Sequence, residues 1–254
     1  MNKIFVIAQN TFKENLRDKV LYNLLFFGLL LIGSSILLGS LTIGEQERII
    51  KDIGLAGINV FGVLIAVFVG IGLVSKEIEK RTVYTILAKP VTRYQFILGR
   101  YAGLVITLLV NTSVMVAGFF GVLLLSGIEP DLGLLEAIGM IFVELMVIVS
   151  IAVMFSTFTS PALSAAFTLA IYVIGHLAAD LKALAEKLQD ELSRIFLDGL
   201  YYTLPNLGYF NIKGEAVHGV PIAASYLLTA IGYGFAYVAL VITLACMIFK
   251  RRDF

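Results

Sequence analysis

The sequence predicts an all-α membrane protein built from six transmembrane helices. Composition is the first reason. Of 254 residues, 59% are hydrophobic and only 15% are charged, against roughly 25% charged in soluble domains. Mean hydropathy is +0.94. Charge spacing is the second reason. Five runs without a charged residue cover 20–44, 53–75, 101–128, 145–179 and 216–249. Each exceeds the roughly 20 residues that a helix needs to cross about 30 Å of hydrocarbon. Third, these runs lack the apolar–polar alternation over about ten residues that marks a membrane β-barrel. A soluble globular enzyme is excluded, because so few charges cannot cover the surface of a domain this size. Disorder is excluded by the abundance of apolar surface. With 19 basic and 18 acidic residues the net charge is +1, which gives no nucleic-acid-binding character. Cys246 is the single cysteine, so no intrachain disulfide and no cysteine-based metal cluster forms.

The first 19 residues are amphipathic. Phe5, Ala8, Phe12, Leu16 and Val20 recur every three or four residues, with Lys3, Lys13, Glu14, Arg17 and Asp18 off that stripe. This predicts a helix lying in the membrane interface; the alternative is a soluble helix packed on a partner subunit. The spans follow at about 20–41, 54–75, 99–126, 134–157, 160–179 and 222–249. The first begins too late and runs too long for a cleaved signal peptide. The fourth and fifth are separated at Pro161, because proline removes a backbone donor and disfavours helix in the residue before it. Between the fifth and sixth spans, 180–221 forms an external segment. It opens with a helical stripe of Leu181, Leu184, Ala185, Leu188, Leu192, Ile195 and Phe196. A turn-rich aromatic stretch follows. The segment is too short for a core of its own, so 1–254 reads as one domain.

Orientation follows from lysine and arginine. Thirteen of the 19 basic residues fall on the side of both termini and six on the other, while the acids divide five against twelve, with Glu144 inside a span. Both termini are therefore expected in the cytoplasm. On that side the loop at 76–98 carries both charge signs. An apolar stripe of Ile78, Thr82 and Ile86, with Val83 and Leu87, predicts a short surface helix, ended by Lys89-Pro90; Thr92 then offers an N-cap for the third span. A plain connection needs only a handful of residues.

The stretch KEIEKRTVYTILAKPVTRYQFILGR, beginning at Lys76, resembles the loop between spans two and three in permeases of the type-2 exporter family of ATP-binding-cassette (ABC) transporters. LPNLGYFNIKGEAVHG before the last span, and the ending FKRRDF, also resemble bacterial members. The resemblance implies a permease subunit of an exporter in the cytoplasmic (inner) membrane, set among membrane lipids. It also implies a coupling helix in the loop, and a dimer with a second copy or a related permease. ATP and Mg would be bound by separate ABC-type ATPase subunits. Consistently, no G-x-x-x-x-G-K-[ST] sequence occurs, so no nucleotide cofactor is assigned to this chain.

On that reading Glu77, Glu79, Lys80, Arg81, Thr82, Lys89, Pro90 and Arg93 contact the ATPase. The plain alternative is a solvated loop that only sets topology. Glu144 reads either as a path-lining or bundle-locking carboxylate, or as a residue nearer the outer headgroups on a span that slides. Asn59 and Asn111 are polar residues within spans that hydrogen-bond neighbouring helices or touch substrate. Gly99 and Gly103 form a small-residue pair suited to close helix packing. His176 and His218 are isolated, and no metal site is assigned. If the path runs along spans two and five, its few polar groups (Asn59, Ser164, Thr168) favour a lipidic or amphiphilic substrate. Two rivals remain: a non-transporting scaffold or mechanotransmission subunit driven by an ABC ATPase, and a stand-alone secondary transporter. The latter predicts more ionisable residues at mid-membrane and inverted repeats.

Overall fold

A computed structural model describes residues 3–42, 44–79 (backbone alone from 72), 92–187 and 190–251. Its elements are α1 (Lys3–Asn15), α2 (Lys19–Ser40), α3 (Gln46–Glu79), α4 (Arg93–Leu125), α5 (Leu132–Ser156), α6 (Pro161–His176), α7 (Ala178–Lys187), α8 (Glu191–Thr203), a 3-10 turn (Leu207–Phe210), α9 (Lys213–Val217) and α10 (Ala224–Arg251). No strand occurs among the described residues. The protein is an all-α, multi-pass membrane protein. Five helices are long and apolar enough to cross a membrane, and six if α6 and α7 count as one broken span.

The helices outrun the charge-free stretches at both ends. α3 starts at Gln46 rather than near 54, and α4 starts at Arg93 rather than near 99. Counting charge-free residues clips such turns, because charged residues extend a helix beyond the hydrocarbon as readily as apolar ones within it. Lys51 illustrates this. Its side chain is buried, yet Nζ lies 2.8 Å from Glu47 and 3.0 Å from Asp131, tying α3 to the α4–α5 connection. Asp131 also caps α5 by accepting from the Leu134 amide at 2.9 Å. Thr92 caps α4 in a capping box with Gln95, as its position promised.

The fifth span differs from expectation. α6 has 16 residues, roughly 24 Å at 1.5 Å per residue, and α7 leaves it at 63°. The chain turns where Asp180 and Lys182 approach, since neither tolerates hydrocarbon. The predicted single external helix is also two. Asp190 caps α8, accepting from the Ser193 amide at 2.9 Å and its hydroxyl at 2.6 Å. The Ser193 hydroxyl, then the amide, hold the Asp190 carboxyl below the usual carboxylate range. The apolar periodicity runs through this break and hides it.

α5 and α3 form the centre, with α2, α4, α6 and α10 packed around them. α2 and α10 are mostly exposed along their lengths and present Phe26, Phe27, Leu30, Leu37, Leu228, Phe235 and Leu240 outward, as lipid-facing helices do. The external segment is fastened to α10 by tyrosines. Tyr233 Oη accepts from the Asn206 amide at 2.9 Å, Tyr226 Oη donates to the Tyr209 carbonyl at 3.0 Å, and Tyr237 Oη reaches the Thr203 carbonyl at 3.4 Å.

α1 is attached to the bundle. It packs along the first half of α4, burying Ala8, Thr11 and Asn15, while Phe5 of the apolar stripe is 63% exposed. The buried face is rotated toward the small residues for a steric reason. A Cβ on Gly103 would lie 2.6 Å from the Ala8 carbonyl oxygen and from Thr11 Cβ, and one on Gly99 would lie 2.7 Å from Ile7 Cβ. The two glycines thus let α1 approach to backbone contact.

Candidate functional site

Two polar constellations stand out in this apolar bundle. The first lies inside it. Glu144 is at the middle of α5 and its side chain is 1% exposed. One carboxylate oxygen, Oε2, accepts from Asn59 Nδ2 of α3 at 2.9 Å. Asn59 Oδ1 in turn accepts from Tyr172 Oη of α6 at 2.9 Å. The other carboxylate oxygen, Oε1, faces His176 Nε2 of α6 at 3.4 Å, an ion pair whenever the imidazole is protonated. Tyr172 and His176 lie one helical turn apart, their ring centroids separated by 4.7 Å, and His176 Nδ1 is 3.2 Å from the Tyr172 carbonyl oxygen. Four side chains therefore form a ring across three helices, in which Glu144–Asn59 and Asn59–Tyr172 are hydrogen bonds while the facing Glu144 Oε1 and His176 Nε2 make none. Mid-helix burial and direct bonding to Asn59 place Glu144 inside the protein.

Such a ring fixes relative helix position. Interhelical hydrogen bonds in membranes are worth about 0.6–2 kcal/mol each, and an intramembrane carboxyl is retained only where partners surround it. Tyr172 and His176 escaped the sequence reading as members. Their spacing of four residues on one helix face was the available signal, and His176 was weighed only as a metal ligand. Among the described residues no three His, Cys, Asp or Glu side chains gather as a metal site.

The second constellation lies at the end of the bundle that carries both termini. Arg93 Nη1 donates to the last carbonyls of α10, Phe249 at 3.1 Å and Lys250 at 2.8 Å. Beneath it Phe96 stacks on Phe249, with centroids 5.6 Å apart. Two turns further along α4, buried Arg100 donates to Glu14 at 3.0 Å and Thr11 at 3.3 Å of α1 and sits 5.4 Å over the Phe96 ring. Deeper along α4, Asn15 Nδ2 donates to Thr107 Oγ1 at 3.1 Å. The start of α4 is thus locked to both α1 and α10. Sequence reasoning counted Arg100 only as a topology charge.

The other predicted residues divide clearly. Glu77 and Glu79 lie on the last turns of α3, their side chains outside the described residues, and Lys80, Arg81, Thr82, Lys89 and Pro90 lie outside them altogether. Arg93 begins α4, immediately after that segment. Asn111 turns back on its own helix, donating to the Thr107 carbonyl at 2.8 Å. Ser164 donates to the Ala152 carbonyl of α5 at 3.2 Å and Thr168 to the Ser164 carbonyl at 2.7 Å. Both, with Asn59, are buried within the chain.

A family model described as ABC-2 family transporter protein matches residues 6–254. The match takes in both constellations and the segment between α3 and α4. No curated protein matches the chain.

Proposed function

The chain belongs to the ABC-2 transporter family, and from that premise we propose that it is the permease of an exporter, working as a dimer in the cytoplasmic membrane with both termini inside. As a member, it is a membrane subunit of an ABC transporter and partners an ABC ATPase. The finer reading concerns how ATP-driven motion enters. The segment from Glu77 to Pro90 receives it from the ATPase, and Arg93 passes it to α10 through the Phe249 and Lys250 carbonyls. The single observation that carries this reading is that junction: the helix leaving the charged loop is bonded to the end of the last span. A side chain bound to two carbonyls moves with them. The Phe96–Phe249 stack and the Arg100–Glu14 pair extend the rigid unit to α1.

The ring of Glu144, Asn59, Tyr172 and His176 keeps the short α6 in register with α3 and α5 while the terminal end moves. With Asn59, Ser164 and Thr168 satisfied internally, the surfaces of α3 and α6 left for a dimer interface are apolar. This favours a lipidic or amphiphilic substrate over a sugar or an ion.

A second reading has a specific observation behind it. α10 is bonded to Arg93 at one end and, through Tyr226, Tyr233 and Tyr237, to the external segment at the other. That arrangement also suits a subunit relaying ATPase motion to the external side as mechanical work.

Co-expression of the chain with an ATPase encoded beside it tests the partnership. The expected result is a complex that survives purification with two copies of each subunit. A chain that purifies without any ATPase, and moves solute across vesicles on its own, would overturn it. Substrate release into the medium separates transport from mechanical relay.

A further inference from the structure

Between the start of α4 and the end of α10 lies an open groove of about 650 Å³, lined by Thr92, Arg93, Tyr94, Thr243, Cys246, Met247 and Lys250. Thr243, Cys246, Met247 and Lys250 follow one face of α10 at spacings of three, one and three residues. Seven residues separate Thr243 from Lys250, about 10 Å along a helix. The upper wall is cationic and the lower wall is mainly apolar. Arg93 is held at the rim by its bonds to the Phe249 and Lys250 carbonyls, so its guanidinium is placed before any ligand arrives. Tyr94 and Met247 are 57% and 51% exposed. A site that is cationic at the membrane surface and greasy about 10 Å deeper matches a glycerophospholipid in both charge and depth. Basic sites between helices at the cytoplasmic surface bind anionic headgroups.

We propose that this groove seats one anionic phospholipid, its phosphate against Arg93 and Lys250 and an acyl chain along Thr243, Cys246 and Met247. The inference rests on the proposed orientation only for the choice of leaflet, and not on the ATPase partnership. A lipid seated there would bridge α4 and α10 at the junction through which motion is relayed, and would make that junction sensitive to membrane composition.

The test uses the full-length chain alone in detergent. Phosphatidylglycerol and phosphatidylcholine of identical acyl chains are titrated and bound lipid is counted by native mass spectrometry. One phosphatidylglycerol per chain is expected to bind at least about tenfold more tightly than phosphatidylcholine. Each of K250Q and R93Q is expected to lower phosphatidylglycerol affinity about fivefold and leave phosphatidylcholine unchanged. Lys250→Gln alters no contact described for the fold, so it remains decisive if Arg93→Gln fails to fold. Cys246, the single thiol, locates the lipid: phosphatidylglycerol should slow its alkylation in the wild type and not in K250Q. Equal binding of the two lipids, no effect of K250Q, or Cys246 labelling indifferent to phosphatidylglycerol would each overturn the proposal. Protection of Cys246 by added ATPase but not by lipid would also overturn it, and would give the groove to a protein surface.

Discussion

Gly103→Leu is expected to detach α1 from the bundle. Even a single methyl group at this position would lie 2.6 Å from the Ala8 carbonyl oxygen and from Thr11 Cβ. One of these is backbone, so no rotamer change relieves it, and the helix must move. Overpacking of this kind costs about 1–3 kcal/mol. The displacement also separates Asn15 from Thr107 and Arg100 from Glu14. Glu14 is about half exposed, so its charge is partly screened. Arg100 is buried, and losing the Glu14 carboxylate adds to the cost. The chain has no tryptophan and its described residues are almost wholly helical, so thermal unfolding is best followed by far-ultraviolet circular dichroism. A midpoint lowered by several degrees for Gly103→Leu, with a smaller drop for Gly103→Ala, is expected. An unchanged midpoint for the leucine variant would mean that α1 does not pack where it is described.

Glu144→Leu is the second large effect, and two opposing terms decide its sign. Removing an intramembrane carboxyl relieves a cost that insertion scales put at about 2.5–3.5 kcal/mol. That relief counts only against an unpartnered carboxyl, and Glu144 is bonded to Asn59 and faces His176. The substitution leaves the buried Asn59 amide without its acceptor, at about 1–3 kcal/mol. The net expectation is destabilisation, with a lower thermal midpoint by circular dichroism. Asn59→Leu alone should behave similarly, because it strips a donor from Glu144 and an acceptor from Tyr172. The double variant should lose clearly less than the sum of the two, since replacing both partners removes the unmatched groups. Glu144→Gln keeps an acceptor for Asn59 and should stay near wild type in stability. Strict additivity of the leucine variants would dissolve the ring as an energetic unit.

The span positions were legible because hydrocarbon thickness fixes their length and charge marks their ends. What charge counting missed follows from the same physics. Lys51 and Arg93 lie in helices that begin before the charge-free runs, and the fifth span bends just ahead of Asp180 and Lys182. Asp190 begins a second helix within a periodic stripe, because capping acts through a single residue that an apolar average ignores. The amphipathic stripe of the first helix showed a helix but not its buried face. That face was chosen by Gly99 and Gly103, more than 80 residues away. The candidate site was legible in part for the same reason. Glu144 and Asn59 stood out singly as polar residues in apolar spans, whereas their closure into a ring with Tyr172 and His176 depends on how three helices are rotated. No pattern within one helix carries that information. Arg93 was read for its charge, while its bonds to α10 depend on where the last span ends.

The central claim is that ATPase motion enters through the segment between α3 and α4. Its most direct measurement is the ATP hydrolysis rate of the reconstituted complex, compared with the ATPase subunit alone, for wild type and for Glu77→Ala/Arg81→Ala. The account predicts that the wild-type membrane subunit changes that rate. In the double variant this effect should fall about tenfold or more, as removal of charged contacts at an interface commonly does, while the thermal midpoint stays at the wild-type value. Hydrolysis that responds to the altered membrane subunit as it does to the wild type would contradict the account.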